Sequence, residues 1–298
     1  MTDASGPRAR EAELAAHYSQ CDDLLRERDR DVWLACLFAP REARPHIHAI
    51  YAFTSEVCDV RARVSQPLLG EMRLRWWADA LAAEATESDA AVGARAHPIV
   101  DALADTIARF ALPRAEAAAL VDAHIFDLYD DPMPTLAALD AYCRETVAAP
   151  MRWAARILGA GDSPDAASAL DDAGVALGLT RLLHALPRQA VAGQVFVPAD
   201  LLARHGTTPE DFRACAATPG LLDALKELRA YARERYEGAR TAAREMAAGR
   251  EALLPAAIVP LYLERMQRKD YDPFRTPVNP PRWRRQWRLW RAARGVGL

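Results

Sequence analysis

Apolar residues recur along this chain at helical spacing, and clusters of Pro, Gly and Asp cut the pattern into about ten segments that each predict an α-helix. Between Arg41 and Arg63, the residues Ile47, Ile50, Tyr51, Thr54, Val57 and Cys58 fall on one helical face. Between Leu68 and Glu84, Met72, Trp76 and Ala80 make one stripe, and Leu74, Trp77 and Leu81 make a second beside it. Both stripes are expected to be buried, with Trp76 and Trp77 in the core. Further helices are expected over His97 to Phe110, Arg114 to Tyr129, Leu136 to Leu158, Pro164 to Leu186, Pro219 to Gly249 and Ala252 to Arg268. Only Arg188 to Pro198 and Asp270 to Pro281 read as sizeable non-helical stretches. Ala, the best helix former, makes up about a fifth of the chain, in keeping with an all-α protein. No repeat, Gly/Ser linker or composition break divides residues 1–280, so they are expected to form one helical domain.

Residues 281–298 depart from this pattern, with six Arg and no acid in a 298-residue chain whose net charge is −3. The body up to residue 280 therefore carries −9 and the tail +6. Trp283, Trp287 and Trp290 are spaced i, i+4, i+7 and share one face of a basic amphipathic helix, with Arg284, Arg288 and Arg291 among the arginines around the rest. Such a helix suits an anionic membrane surface or an acidic partner, or it docks its Trp face on its own acidic body. Of the 38 basic residues only Lys226 and Lys269 are lysines. Arginine's fixed fork suits phosphates, carboxylates and lipid headgroups.

With 51% apolar and 27% charged residues the chain can bury a large core, which excludes disorder, collagen and a disulfide scaffold. The cysteines at 21, 36, 58, 143 and 215 are odd in number and never form a C-x-x-C pair, so a zinc site and a disulfide framework both lack support, and a reducing compartment is expected. The first twenty residues carry acids and no apolar segment, so they do not read as a secretory signal. No apolar run reaches the roughly 18 residues of a membrane span. The expected location is the cytoplasm, with peripheral attachment to the inner face of the cytoplasmic membrane, and nothing points to nucleic acid.

No nucleotide-binding glycine motif and no nucleophile elbow is present. His124 and Asp127 are predicted to share a helix face but lack a third metal ligand. Asp127, Asp130 and Asp131 fall at i, i+3 and i+4, a spacing that suits either a hard cation or a solvated helix end, with Asp127 a full turn inside. Asp171 and Asp172 are read as favourable with a helix dipole. Arg181 and His184, one turn apart, suit either an anion or ordinary surface ion pairs.

Four stretches in order resemble the squalene and phytoene synthase family of head-to-head prenyltransferases: AIYAFTSEVCDVRA (49–62), MRLRWWADAL (72–81), YCRETVAAPMRWAARILG (142–159) and DAGVALGLTRLLHALPRQAVAGQVFVPADLL (172–202). The last is the most specific, with Gly174, Ala176, Leu177, Thr180, Leu183, Gly193, Val195 and Pro198 standing at family positions. The resemblance implies an isoprenoid synthase-type helical bundle around a central cavity. It also implies two aspartate-rich motifs whose Mg²⁺ ions neutralise a departing diphosphate.

At those motif positions the sequence departs from the family. The first motif, D-D-I-V-D, reads Cys58, Asp59, Val60, Arg61, Ala62. In the second, the family's Asn is Arg181, its Arg is His184, its Asp is Ala185, and its Glu-Asp pair is Arg188 and Gln189. Ala and Cys are poor substitutes for the oxygen ligands of a hard cation, so no cofactor is expected. Cys58 is expected to be a small buried hydrophobe. The stretches HPIVDAL, FVPADLLARHGTTPEDF and LLPAAIVPLYLERMQRKDYDPF resemble one branch of the family, the assembly factor-like branch associated with respiratory complex I. The resemblance then implies a non-catalytic assembly or binding factor at a membrane surface, partnered by a respiratory-complex component or by an isoprenoid or lipid ligand. The alternative is an active prenyltransferase with an altered Mg²⁺ site, using Asp59 and Asp127 for metal, Arg61 and Arg181 for diphosphate, and Tyr51 and Tyr142 near the cation.

Overall fold

Proline sets where many of the helices begin, because its fixed φ suits the first turn and its missing N–H is not needed there. In the computed structural model, which describes residues 5–82, 97–161, 163–295 and 298, Pro45, Pro98, Pro164 and Pro219 all occupy such positions. The first half of the chain forms α1 (Ser5–Arg28), α2 (Arg30–Cys36), α3 (Arg44–Cys58), α4 (Val60–Arg63), α5 (Pro67–Ala82), α6 (Pro98–Phe110) and α7 (Arg114–Ala123). The second half forms α8 (Leu136–Cys143), α9 (Ala149–Ile157), α10 (Pro164–His184), α11 (Leu186–Val191), α12 (Ala199–Arg204), α13 (Pro209–Arg213), α14 (Pro219–Ala242), α15 (Val259–Met266) and α16 (Arg282–Ala293). No strand occurs among the described residues, so the all-α expectation holds.

Several expected helices are interrupted, some of them for a visible local reason. The helix expected from Arg41 to Arg63 starts at Arg44 and stops at Cys58. There the Thr54 and Ser55 hydroxyls donate to the carbonyls of Ile50 and Tyr51 one turn back and loosen its end. The 114–129 helix ends at Ala123, so Asp127 lies on a separate 3₁₀ turn (Phe126–Leu128) and not a turn inside a helix. The 136–158 helix is divided by a π turn (Arg144–Ala148), just ahead of Pro150, which has no N–H to continue the α pattern. The 164–186 helix bends at Ala185, and the stretch expected to be irregular from Arg188 stays helical to Val191. The 219–249 helix stops at Ala242. Pro255 and Pro260 turn the 252–268 segment into a 3₁₀ run (Arg250–Ile258) followed by α15. Glu84, the expected end of the fifth helix, lies outside the described residues.

The buried apolar residues form two clusters. In the larger one, α10 is buried all round from Ala173 to Thr180 and packs along α14. Small residues permit the close approach on its other side: a Cβ on Gly174 would lie 2.4 Å from the Ala148 backbone of the π turn. The second cluster joins α1, α3, α5, α6 and α7 around Phe53, Trp77 and Trp153. Of the two α5 stripes, Leu74, Trp77 and Leu81 are buried as expected, but Met72 is 63% and Trp76 38% exposed. No described element covers that side of α5, and Trp76 rests edge-on against Trp77 and His97. Asp171 and Asp172 lie two turns into α10 and act as ion-pair acceptors, Asp171 for Arg144 and Arg152 and Asp172 for Arg235.

Candidate functional site

The end of α3, the short α4, the 3₁₀ turn, α8 and the last turn of α10 bring the first group of candidate residues into one charged neighbourhood. Asp127 sits at its base, 8% exposed, with both carboxylate oxygens in use. Its Oδ2 lies 2.7 Å from His124 Nδ1, and its Oδ1 accepts the Tyr142 hydroxyl at 2.8 Å. Gln194, a residue that no motif or spacing singles out, donates to the Asp127 carbonyl at 2.8 Å. Desolvation first, and the adjacent Asp127 charge second, push the Tyr142 hydroxyl well above its ordinary pKa.

Asp59 is held by cations from two helices, Arg28 at 3.0 Å and Arg63 at 3.3 Å. Arg63 also forks onto Glu56 at 2.6 and 2.8 Å. Burial opposes ionisation of Glu56, and the guanidinium overcomes it and keeps that carboxyl below its usual range. Arg181 donates to Asp29 at 2.6 Å, and Asp29 also caps α2 through the Val32 N–H at 3.1 Å. The cap position was legible as an Asp ahead of an apolar run, but nothing in the pattern paired it with Arg181. Arg61 reaches Asp130 at 3.5 Å.

Cys58 stands among these charges. It is exposed, which corrects the expectation of a buried hydrophobe. The surrounding protein nevertheless desolvates its thiol and, together with Asp127 and Asp59, raises its pKa to about 12, so the thiol is protonated at neutral pH. Ala62 is exposed on α4. Tyr51 is buried deeper, beside a small space of about 10 Å³ lined by Cys36, Ile47, Ala154 and Pro255. That volume holds no more than a water.

The other second-motif residues do not converge on this neighbourhood. His184 packs its ring on Tyr262 at 5.3 Å, and desolvation with nearby Arg188 lowers its pKa. Arg188 is exposed, Ala185 forms the turn between α10 and α11, and buried Gln189 donates to the Leu182 carbonyl at 3.1 Å. Arg181 and His184 therefore face different partners. Among the described residues no group of three His, Cys, Asp or Glu side chains is placed to hold a metal ion.

The tail forms the expected amphipathic helix, α16, and docks on the body by the side opposite its tryptophans. Leu289 is 1% exposed, and Arg285 pairs with Asp31. Arg288 donates to the Ala257 carbonyl at 3.0 Å and the Tyr236 hydroxyl at 2.8 Å. This corrects two expectations: Arg288 faces the body, and the Trp face does not dock there. Trp283, Trp287 and Trp290 are 63%, 54% and 37% exposed. With Leu34, Leu37 and Phe38 of the α2 end they flank an apolar groove of about 820 Å³.

A helical bundle with α10 at its centre, and with these motif positions at the ends of α3 and α10, has the architecture of an isoprenoid synthase fold. The chain belongs to the squalene/phytoene synthase family, whose model matches residues 25–291. It is 27% identical over 272 residues to NADH dehydrogenase (ubiquinone) complex I, assembly factor 6 from Rattus norvegicus, covering 91% of this chain and 78% of that one. It is 26% identical over 269 residues to phytoene synthase from Thermus thermophilus, covering 88% and 87%. Among solved structures it is similar to squalene synthase HpnC from Alicyclobacillus acidocaldarius, with a TM-score of 0.72, 25% identity, and coverage of 88% of this chain and 97% of that one. No helix among the described residues is long and apolar enough to cross a membrane.

Proposed function

We propose that this chain is a non-catalytic member of its family that serves as an assembly or binding factor of the complex I type, working at the inner face of the cytoplasmic membrane. One observation carries the reading: the carboxylates left near the motif positions are engaged internally, Asp59 by Arg28 and Arg63, and Asp127 by His124 and Tyr142. The Mg²⁺ ions of the family's synthases do not fit this donor set. Ala62 and Ala185 offer no ligand, Arg181 brings a positive charge, and two partnered carboxylates do not gather several divalent ions. Similarity to complex I assembly factor 6 over 91% of the chain supports the assembly role.

Similarity to phytoene synthase keeps the prenyltransferase as the rival reading. Incubation of the purified chain with farnesyl diphosphate and Mg²⁺ separates the two. Diphosphate release is expected to stay at the buffer rate. Steady release that disappears in Asp59→Ala would overturn the proposal. In the encoding organism, deletion is expected to lower assembled complex I, and normal assembly would count against the assembly role.

A further inference from the structure

The strongest unused feature of the molecule is the outer side of α16. At about 100° per residue, Trp283, Trp287 and Trp290 project within some 60° of one another, while Arg285, Arg288, Leu289 and Ala292 centre on the far side. The far side is the one docked on the body, through Leu289, Arg285 and Arg288. The exposed tryptophans are therefore not left over from a loose tail; a fixed helix presents them.

The arginines divide in the same way. Arg285 and Arg288 are engaged by the body, but Arg282, Arg284, Arg291 and Arg294 are exposed, and among the described residues no acid pairs with them. Arg284 lies over the Trp283 ring at 5.3 Å, and Arg294 over the Trp290 ring at 4.0 Å. Trp287 and Trp290 stack with centroids 5.0 Å apart. The groove beside them is walled by Leu34, Leu37 and Phe38 and has no acidic side chain in its lining.

We infer that this face docks on an anionic phospholipid bilayer, with the three Trp rings at the headgroup level, the four free arginines on lipid phosphates, and the groove covered by acyl chain. The inference rests on the membrane-surface part of the proposed function and adds the docking face and the lipid class. Charge complementarity selects the occupant. Four unpaired cations around an apolar strip match a surface that is anionic outside and hydrocarbon beneath, and Trp is the side chain whose ring suits that boundary. A second copy of the chain is disfavoured, because it would bring two sets of unpaired arginines face to face.

Flotation of the full chain with vesicles tests this without reference to complex I or to prenyl chemistry, so its outcome is independent of the assembly reading. The chain is expected to float with equal parts phosphatidylcholine and phosphatidylglycerol, and not with phosphatidylcholine alone. Binding should weaken as salt shortens the screening length from about 10 Å at 0.1 M to about 3 Å at 1 M. Each of Arg282, Arg284, Arg291 and Arg294 changed to Gln should weaken binding about fivefold. Trp283→Ala with Trp287→Ala should weaken it at least tenfold, and brominated lipid should quench the tryptophan emission of the unaltered chain. No flotation, equal flotation with neutral vesicles, or full flotation of both variant sets would each overturn the inference. So would a dimer in solution that the Trp changes dissociate while flotation persists.

Discussion

The neighbourhood of Cys58 and the outer face of α16 both rest on arginine, yet they treat its charge in opposite ways. Around Cys58, Arg28 and Arg63 close on Asp59, Arg181 on Asp29, and Arg61 on Asp130. On α16 four arginines stay open beside three tryptophans. The first arrangement turns a site where charge could gather a ligand into a set of staples between elements. The second keeps charge available to something outside the chain. Holding five arginines on a 12-residue helix is unfavourable in isolation, since like charges one turn apart repel and short helices are marginal in water. The docked face must therefore hold α16 in place.

That dependence gives the largest expected effect. Leu289→Ala removes the buried apolar anchor of α16 and should cost about 2–5 kcal/mol in urea denaturation. A cost near zero would mean that the helix is not held by this face, and the contrast between a docked and an open side would fail. Next comes Asp127→Ala, which strips a buried acceptor from both His124 and Tyr142 and should cost about 1–3 kcal/mol. Asp59→Ala, at a more exposed site, should cost less than about 1 kcal/mol. If the two costs were equal, the division of the charged neighbourhood into a buried base and a solvated rim would be wrong.

The bundle was legible in the sequence because buried helices leave a period, and the 174–198 stretch resembles one family over many ordered positions. Three kinds of error had physical causes. Helix breaks at Cys58 and at the π turn come from hydroxyl and proline effects on backbone bonds, which leave the apolar period unchanged. Trp76 and Trp77 look equivalent in sequence, but only tertiary packing decides that Trp77 is covered and Trp76 is not. Partners distant in sequence, such as Arg181 with Asp29 or Asp127 with Gln194, leave no local signal at all. For the tail, spacing gave the Trp stripe correctly, but not which side would meet the body.

Freeing one of the staples makes the two regions more alike. Asp29→Ala releases Arg181 and removes the α2 cap, for an expected loss of about 1 kcal/mol by thermal denaturation. Titration separates the regions in another way. Desolvation lowers His46, His48, His97 and His184 below 6.5, so the unfolded chain takes up their protons first. Stability is therefore complete above about pH 6.5 and declines as the pH falls through it. Glu56 and Asp140 act in the same direction at lower pH: burial opposes their charge, but Arg63 in one case and Tyr231 with Arg144 in the other hold them low. At the alkaline end, burial raises the Cys21 thiol from 9.0 to about 12, so stability should fall again above about pH 9. The melting temperature should thus peak between those limits. The open face of α16 carries only arginine and should not respond over the same range. If vesicle binding tracked the melting curve with pH, the independence of the two regions would be lost.

The smallest expected effect is the most discriminating. Trp283 and Trp287 are large apolar side chains, and their loss from a core would cost several kcal/mol. On an open face their removal exposes no cavity and breaks no buried contact, so Trp283→Ala with Trp287→Ala should change stability by no more than about 0.5 kcal/mol. Stacking of Trp287 on Trp290 is then the main internal interaction lost. A melting temperature unchanged within error would show that the chain does not need these rings to fold, and that they face outward for another reason. A loss of 2 kcal/mol or more would instead mean that the groove closes on them in solution, and α16 would then be a packed terminal helix on both of its sides.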